Sequence, residues 1–250
     1  MKTEQGSLEE EHVEPAVGAI RPSSLSSDRG ILAAILFTIV AILAILAIVL
    51  TAVRILLTPA FVQFEYRTPN FPADPYGFTR TDRLYWSQIA LNYLLNDAGI
   101  GYLGDLRFQD GSPVYNNREL GHMVDVKNVV QVTLKLWYFS LAGLLVLGGW
   151  AWIGGWWRTF RRGLWRGGWL TIILVGLIIF LVLLSFGAFF VGFHEVFFDP
   201  GTWTFLFSDT LIRLFPERFW RDAFLTVGIL SVLGGLTLAL LFRPARNTTA

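Results

Sequence analysis

The chain contains no cysteine, so disulfide staples, thiol nucleophiles and thiolate-bound metals are excluded at the outset. Charge is scarce as well. Only 16% of the 250 residues are Asp, Glu, Lys or Arg, against about a quarter in a soluble domain. Histidine is rarer still, with His12, His122 and His194. No HExxH and no close-spaced histidine pair announces a metal site, no GxSxG marks a serine nucleophile, and no nucleotide-binding loop occurs. No cofactor is therefore expected. A net charge of +1 says nothing about nucleic acid, and because the arginines and tryptophans of 150–169 read as a membrane interface, no nucleic-acid partner is expected.

Apolar residues fill the space these absences leave. They make up 54% of the chain, and the mean hydropathy is +0.52. Long uninterrupted apolar runs of this kind define an integral membrane protein. Four runs, at about 31–57, 129–153, 170–191 and 223–242, are each long enough to cross a bilayer as a helix. The expected fold class is an all-α membrane protein, with four transmembrane helices and a small, mostly helical extracytoplasmic cap. Residues 1–29 carry five glutamates, Pro15, Pro22 and a run of serines, a composition that reads as a disordered tail. Because this polar stretch comes first and no small-residue cleavage site follows the apolar run, the first span reads as an uncleaved anchor. Residues 244–250 form a second short tail.

The basic residues give an orientation. Arg158, Arg161, Arg162 and Arg166 lie between spans two and three with no acid among them, Arg21 and Arg29 precede span one, and Arg243 and Arg246 follow span four. The excess of positive charge in short loops predicts that these segments are cytoplasmic. Both termini are then inside, and residues 58–128 and 192–222 are outside. Six tryptophans around 150–169 fit an aromatic belt at the inner interface. GxxxG-like spacings suggest helix packing.

The outer cap, 58–128, is not featureless. Thr81-Asp82 opens a helical pattern that closes at Asp97-Ala98-Gly99, with Trp86, Ile89, Ala90, Tyr93 and Leu94 as its apolar stripe. Pro69, Pro72 and Pro75 mark an extended connector before it, and Asn117 is expected to cap a helix that runs on into span two. The second outer segment, 192–222, is dense in phenylalanine and tryptophan and suits the lipid boundary.

His122 comes just before span two and His194 just after span three, so each falls in an outer segment. Two ionisable groups at one membrane face are a functional signal, because the charged form is costly there. Asp125 lies three residues after His122, on the same helical face. It is expected either to orient the imidazole or to face substrate with it. Two other readings stay open on residues alone. One is a metal site built from His122, Asp125, His194 and Glu195, as in a metal-dependent hydrolase. The other is a non-catalytic scaffold that binds exported proteins.

The stretches Glu119-Leu120-Gly121-His122-Met123-Val124-Asp125-Val126 and Phe193-His194-Glu195-Val196-Phe197-Phe198, with Trp203-Thr204-Phe205, Asp209-Thr210-Leu211-Ile212 and Phe215-Pro216-Glu217-Arg218-Phe219-Trp220, resemble the bacterial lipoprotein intramolecular transacylases. The resemblance covers roughly residues 30–242. It implies an enzyme of the bacterial cell membrane that needs no cofactor and no protein partner. Its substrate would be a diacylglyceryl-modified lipoprotein in membrane lipid, whose sn-2 acyl chain moves to the α-amine of the N-terminal cysteine. His122 and His194, with Asp125, would be catalytic. Asn92, Tyr93, Phe193, Trp203, Arg213 and Arg218 are the expected substrate contacts.

Overall fold

A computed structural model describes residues 23–244, with side chains from Gly30 onward. The polar stretch before Ser23, His12 included, and the end after Pro244 lie outside the described residues. The described chain is helical, with no strand among its elements. Four helices are long and apolar enough to cross a membrane: α1 (Ser23–Leu56), α5 (Asn117–Ile153), α6 (Trp157–Leu184) and α9 (Glu217–Leu241). Four shorter ones complete the cap: α2 (Pro59–Glu65), α3 (Arg80–Leu95), α4 (Gly101–Gly104) and α8 (Thr210–Leu214). The remaining helix, α7 (Phe186–Phe197), continues from α6 toward the cap.

Several boundaries differ from those read along the sequence. Residues 23–29, expected in the tail, form the first turns of α1. The basic stretch 154–169 is not a loop. Gly154, Gly155 and Trp156 suffice to turn the chain, with Gly155 at φ 73°, and the arginines ride on the first turns of α6. The apolar run expected as one span to 191 is two helices. Ser185 breaks it with an extended backbone, and its hydroxyl accepts a bond from the Ala188 amide. A serine side chain that offers the backbone another partner ends one helix and caps the next. The cap helix starts at Arg80, one residue before the Thr81-Asp82 signal, because Thr79 and Asp82 close a reciprocal capping box. Asn116, not Asn117, caps α5, again in a capping box, with Glu119.

The spans pack through α6, which lies against both α1 and α9, while α1 also contacts α5 and α9. Glycine makes this possible. A Cβ on Gly163 would stand 2.7 Å from Val40, one on Gly167 2.8 Å from the Ala41 carbonyl oxygen, and one on Gly168 2.5 Å from that of Gly235. Small residues four apart let helix backbones approach this closely where no water is present to drive association. The spacing Gly163–Gly167 is therefore a packing face. In contrast, α5 buries little of its apolar stretch and exposes Val132, Leu136, Phe139, Leu145 and Val146. Its side-chain tie to the bundle is the Trp137 indole N–H, which donates to Thr51 Oγ1 at 2.9 Å.

The cap has its own core. Ala90 and Tyr93 of α3 pack with Leu103, Val114, Tyr115, Met123, Leu211 and Leu214, and Trp86, Ile89 and Leu94 lie partly buried against them. The stripe expected from the sequence thus faces inward, and it meets residues of both 58–128 and 192–222. Hydrogen bonds join those segments as well. Tyr66 Oη donates to the Leu214 carbonyl at 2.7 Å, and the Thr210 hydroxyl donates to that of Val114. Glu119 is buried and accepts from the Leu211 amide at 2.7 Å and the Asn116 amide at 2.8 Å. The start of α5 is thereby locked to α8, and that lock sets where His122 points.

Candidate active site

His122 lies on the second turn of α5 and His194 on the last turn of α7. Both are buried. Their ring centroids are 6.2 Å apart and the planes differ by 22°, so the two imidazoles lie nearly parallel. Aromatic rings enclose them. Phe198 and Phe205 stand edge-on to His122 at 4.9 and 5.3 Å. Phe190, Trp203, Phe198 and Phe193 surround His194 at 4.1 to 5.7 Å. Phe198 touches both rings.

The two imidazoles are held differently. Nδ1 of His194 lies 2.8 Å from the Phe190 carbonyl oxygen. A carbonyl only accepts, so Nδ1 carries the proton and Nε2 keeps its lone pair. Burial pushes the His194 pKa below its usual value, and the Phe190 contact offsets this in part. At neutral pH the ring is then a neutral base with its free nitrogen already defined. Nδ1 of His122 is buried and has no partner. Its ring is positioned by aromatic packing and by the Glu119 lock one turn earlier.

Asp125 does not orient His122. It is half-buried, and among the described residues no hydrogen bond joins it to the imidazole. The expected backing carboxylate is absent because the ring is wedged between Phe198, Phe205 and His194 instead. Phe193 and Trp203 do reach the site, since both rings pack on His194. Asn92 is exposed on α3. Tyr93 is buried in the cap core, stacked on Tyr102 with Lys127 Nζ 4.1 Å from its ring centroid. Arg213 is committed to Asp74 at 2.9 Å, to the Tyr76 carbonyl and to the face of Phe78. Arg218 binds Asp222 and the carbonyls of Pro69 and Asn70. These two arginines hold the proline-rich connector, whose carbonyls lack helical partners, and so they are engaged within the protein.

The residues not singled out from the sequence are Phe198, Phe205, the Phe190 carbonyl and Glu119. Of these only Glu119 had a usable local signal, the spacing Asn116-x-x-Glu119 before an apolar run. Glu195, a possible metal ligand by sequence, is exposed. Among the described residues no group of three or more His, Asp or Glu is placed to hold a metal ion.

Fold and site together define a polytopic membrane protein with two buried imidazoles in an aromatic shell beneath a helical cap. The model of one protein family, the lipoprotein intramolecular transacylase Lit, matches residues 36–220. The chain belongs to that family, and it is an acyltransferase that acts on lipoproteins. A protein of Aquifex aeolicus (strain VF5), described only as uncharacterized, is 35% identical over 188 residues, covering 73% of this chain and 82% of that one. The fold is that of the membrane-integral lipoprotein intramolecular transacylase Lit from Bacillus cereus, with a TM-score of 0.73 at 21% identity, covering 86% of this chain and 95% of that chain. A structure of the same protein with a histidine changed to arginine aligns with a TM-score of 0.69 at 20% identity, covering 88% of this chain and 94% of that chain.

Proposed function

We propose that this chain moves the sn-2 acyl chain of a diacylglyceryl-cysteine lipoprotein onto its own N-terminal α-amine, leaving an N-acyl lyso-glyceryl lipoprotein. The observation that carries the mechanism is the pair of buried imidazoles, 6.2 Å apart, with opposite hydrogen-bond states. Donor ester and acceptor amine are in one molecule, so binding holds them in an attack geometry and removes the entropy of bringing them together. His194 Nε2 takes a proton from the amine as its nitrogen attacks the ester carbonyl. The tetrahedral oxyanion then collapses, the bond to the glyceryl oxygen breaks, and the proton is delivered to that oxygen. An amide has formed, an alcohol has been released, and the enzyme is unchanged.

His122 is the partner that steadies the oxyanion or passes the proton. The aromatic shell serves both roles. It excludes water, which strengthens each hydrogen bond at the reacting centre, and it offers apolar surface to an acyl chain. Asp125 has no part in proton transfer.

The arginines on the first turns of α6 lie at the far end of the bundle from the histidines, since about 48 Å of α5 separates His122 from Gly154. By the positive-inside rule that end is cytoplasmic. This supports a bacterial cell membrane protein with both termini inside and its site at the outer face. Reporter fusions at residues 110 and 160 should report opposite compartments. The reaction itself is tested by mass spectrometry of lipoprotein N-termini from cells with and without the protein. N-acyl lyso-forms that do not depend on the protein would overturn the assignment.

A further inference from the structure

The first turns of α6 carry a line of arginines. Arg158, Arg162 and Arg166 stand four residues apart and are all exposed, so they share one face of the helix over about 12 Å. The face that packs on α1, with Gly163 and Gly167, is turned away from them. Among the described residues no ion pair engages the three guanidinium groups. The sequence holds no Asp or Glu between Asp125 and Glu195, and none after Asp222.

Three local effects oppose this placement. Like charges at i and i+4 repel each other. The start of a helix is the positive pole of its dipole, where cations are unfavourable. The start of α6 also has no side-chain cap, so its leading N–H groups add to that positive end. Membrane orientation needs a number of positive charges rather than their alignment, and it leaves the line unexplained. A bound anion offsets all three effects at once.

What continues the line selects the anion. Beyond Arg166 the same face passes to Trp169, Ile173 and Leu177, all exposed. The face changes from cationic to apolar within one turn. An exposed tryptophan marks the boundary between headgroups and hydrocarbon, which puts Arg166 about 4.5 Å on the headgroup side. The apolar part, from Trp169 to Leu184, is about 22 Å long, and one leaflet of hydrocarbon is about 15 Å thick. A free phosphate would use only the arginines. A molecule with an anionic head and apolar tails uses the whole face, and guanidinium groups hold phosphate through paired N–H bonds.

We propose that this face of α6 binds an anionic glycerophospholipid, with its phosphate on Arg162 and Arg166 and an acyl chain along Ile173 and Leu177. Arg158 adds charge at the outer edge of the headgroup. The site lies at the opposite end of the bundle from His122 and His194, and it stands apart from the transacylase reading.

The test is native mass spectrometry of the full-length protein in a neutral detergent. It is titrated with dioleoyl phosphatidylglycerol, dioleoyl phosphatidylcholine or glycerol phosphate. The wild type should bind phosphatidylglycerol about tenfold more tightly than phosphatidylcholine, and glycerol phosphate far more weakly than either. Arg166→Gln should weaken phosphatidylglycerol binding about fivefold, the usual effect of one basic side chain at an anionic surface, and leave phosphatidylcholine binding unchanged. Changing Arg158, Arg162 and Arg166 together to Lys keeps the charge and should cost about threefold, because an ammonium lacks the paired donors. That variant carries the comparison if the loss of a charge prevents insertion. Arg67→Gln with Arg80→Gln, both exposed in the cap, should change neither affinity. Equal affinity of the wild type for the two lipids would overturn the proposal. So would an equal loss in the cap variant, which reports net charge alone, or glycerol phosphate binding as tightly as the lipid. A lipid preference that emerges only when Glu4, Glu9, Glu10, Glu11 and Glu14 are changed to Gln would assign the arginines to the chain's own acidic stretch, and would overturn it as well.

Discussion

The glycine-packed interior of the bundle and the aromatic site at its other end are built from the same apolar composition and use it in opposite ways. Where α6 meets α1 and α9, side chains are removed until backbones touch, and Gly168 and Gly235 face each other with no room for a methyl group. Around His122 and His194 the side chains are as large as they come, with Phe190, Phe193, Phe198, Trp203 and Phe205 surrounding two ionisable rings. The first region gains dispersion contacts and holds no reactive group. The second forgoes close helix packing, since α5 is joined to the bundle mainly through α1, and gains an aromatic enclosure in which two imidazoles are buried. Close packing gives a frame; the loosely joined helix α5 carries His122, and the short helix α7 carries His194.

Breaking the histidine end should have the largest effect. His194→Ala and His122→Ala should each lower transacylation by about 10²–10⁴-fold, the usual span for a lost general acid or base, while thermal unfolding in detergent barely shifts. Because both rings serve one proton path, the double variant should be scarcely worse than the poorer single one. Nearly full acyl transfer by folded His194→Ala protein would remove it from the mechanism.

The bundle end should respond the other way round. Gly168→Leu places a side chain against the Gly235 carbonyl and should destabilise the fold by about 3 kcal/mol, the upper end for overpacking. The protein that survives should keep its KM. An unchanged unfolding temperature would show that this close approach is not structural.

A milder perturbation is pH. Burial holds His194 below its usual pKa, so the ring remains neutral, and able to accept a proton, on the acid side of neutrality. The limb set by this base should therefore fall below pH 6.5. The α-amine of the substrate, with a pKa of about 7.7–8.0, must lose its proton to attack, so the rate should climb from pH 6.5 to about 8. An NMR titration of the free enzyme that places the His194 imidazole above pH 6.5 would contradict a buried, neutral His194. The smallest effect belongs to Asp125→Asn, which should stay within about threefold of wild type, under 0.7 kcal/mol of barrier. A loss comparable to that of either histidine would mean that Asp125 swings onto His122 when substrate binds.

Much of this architecture was legible along the chain because the bilayer leaves so few options. Backbone groups in lipid must bond within their own helix, so an apolar run of twenty residues without charge has one available structure. Length and hydropathy therefore identified the spans, and the order of spans placed both histidines at one end of the bundle. Boundaries were less legible. Ser185, Thr79 and Asn116 act through local hydrogen bonds whose partners depend on where the helix has already started.

The number of spans, the all-α class and the family were thus determined by the sequence alone, through periodicity, composition and resemblance. Only the tertiary structure decided what each polar residue does. Arg213 and Arg218 read as substrate contacts, yet they clamp the connector, because their partners lie about 140 residues away and no local pattern encodes them. Asp125 shares a helical face with His122 by spacing, yet the ring turns to Phe198, Phe205 and His194. The Phe190 carbonyl that assigns the proton on His194 is a backbone atom and has no residue type to read. Spacing tells which side chains are able to meet; the packing of distant segments settles which of those meetings occur.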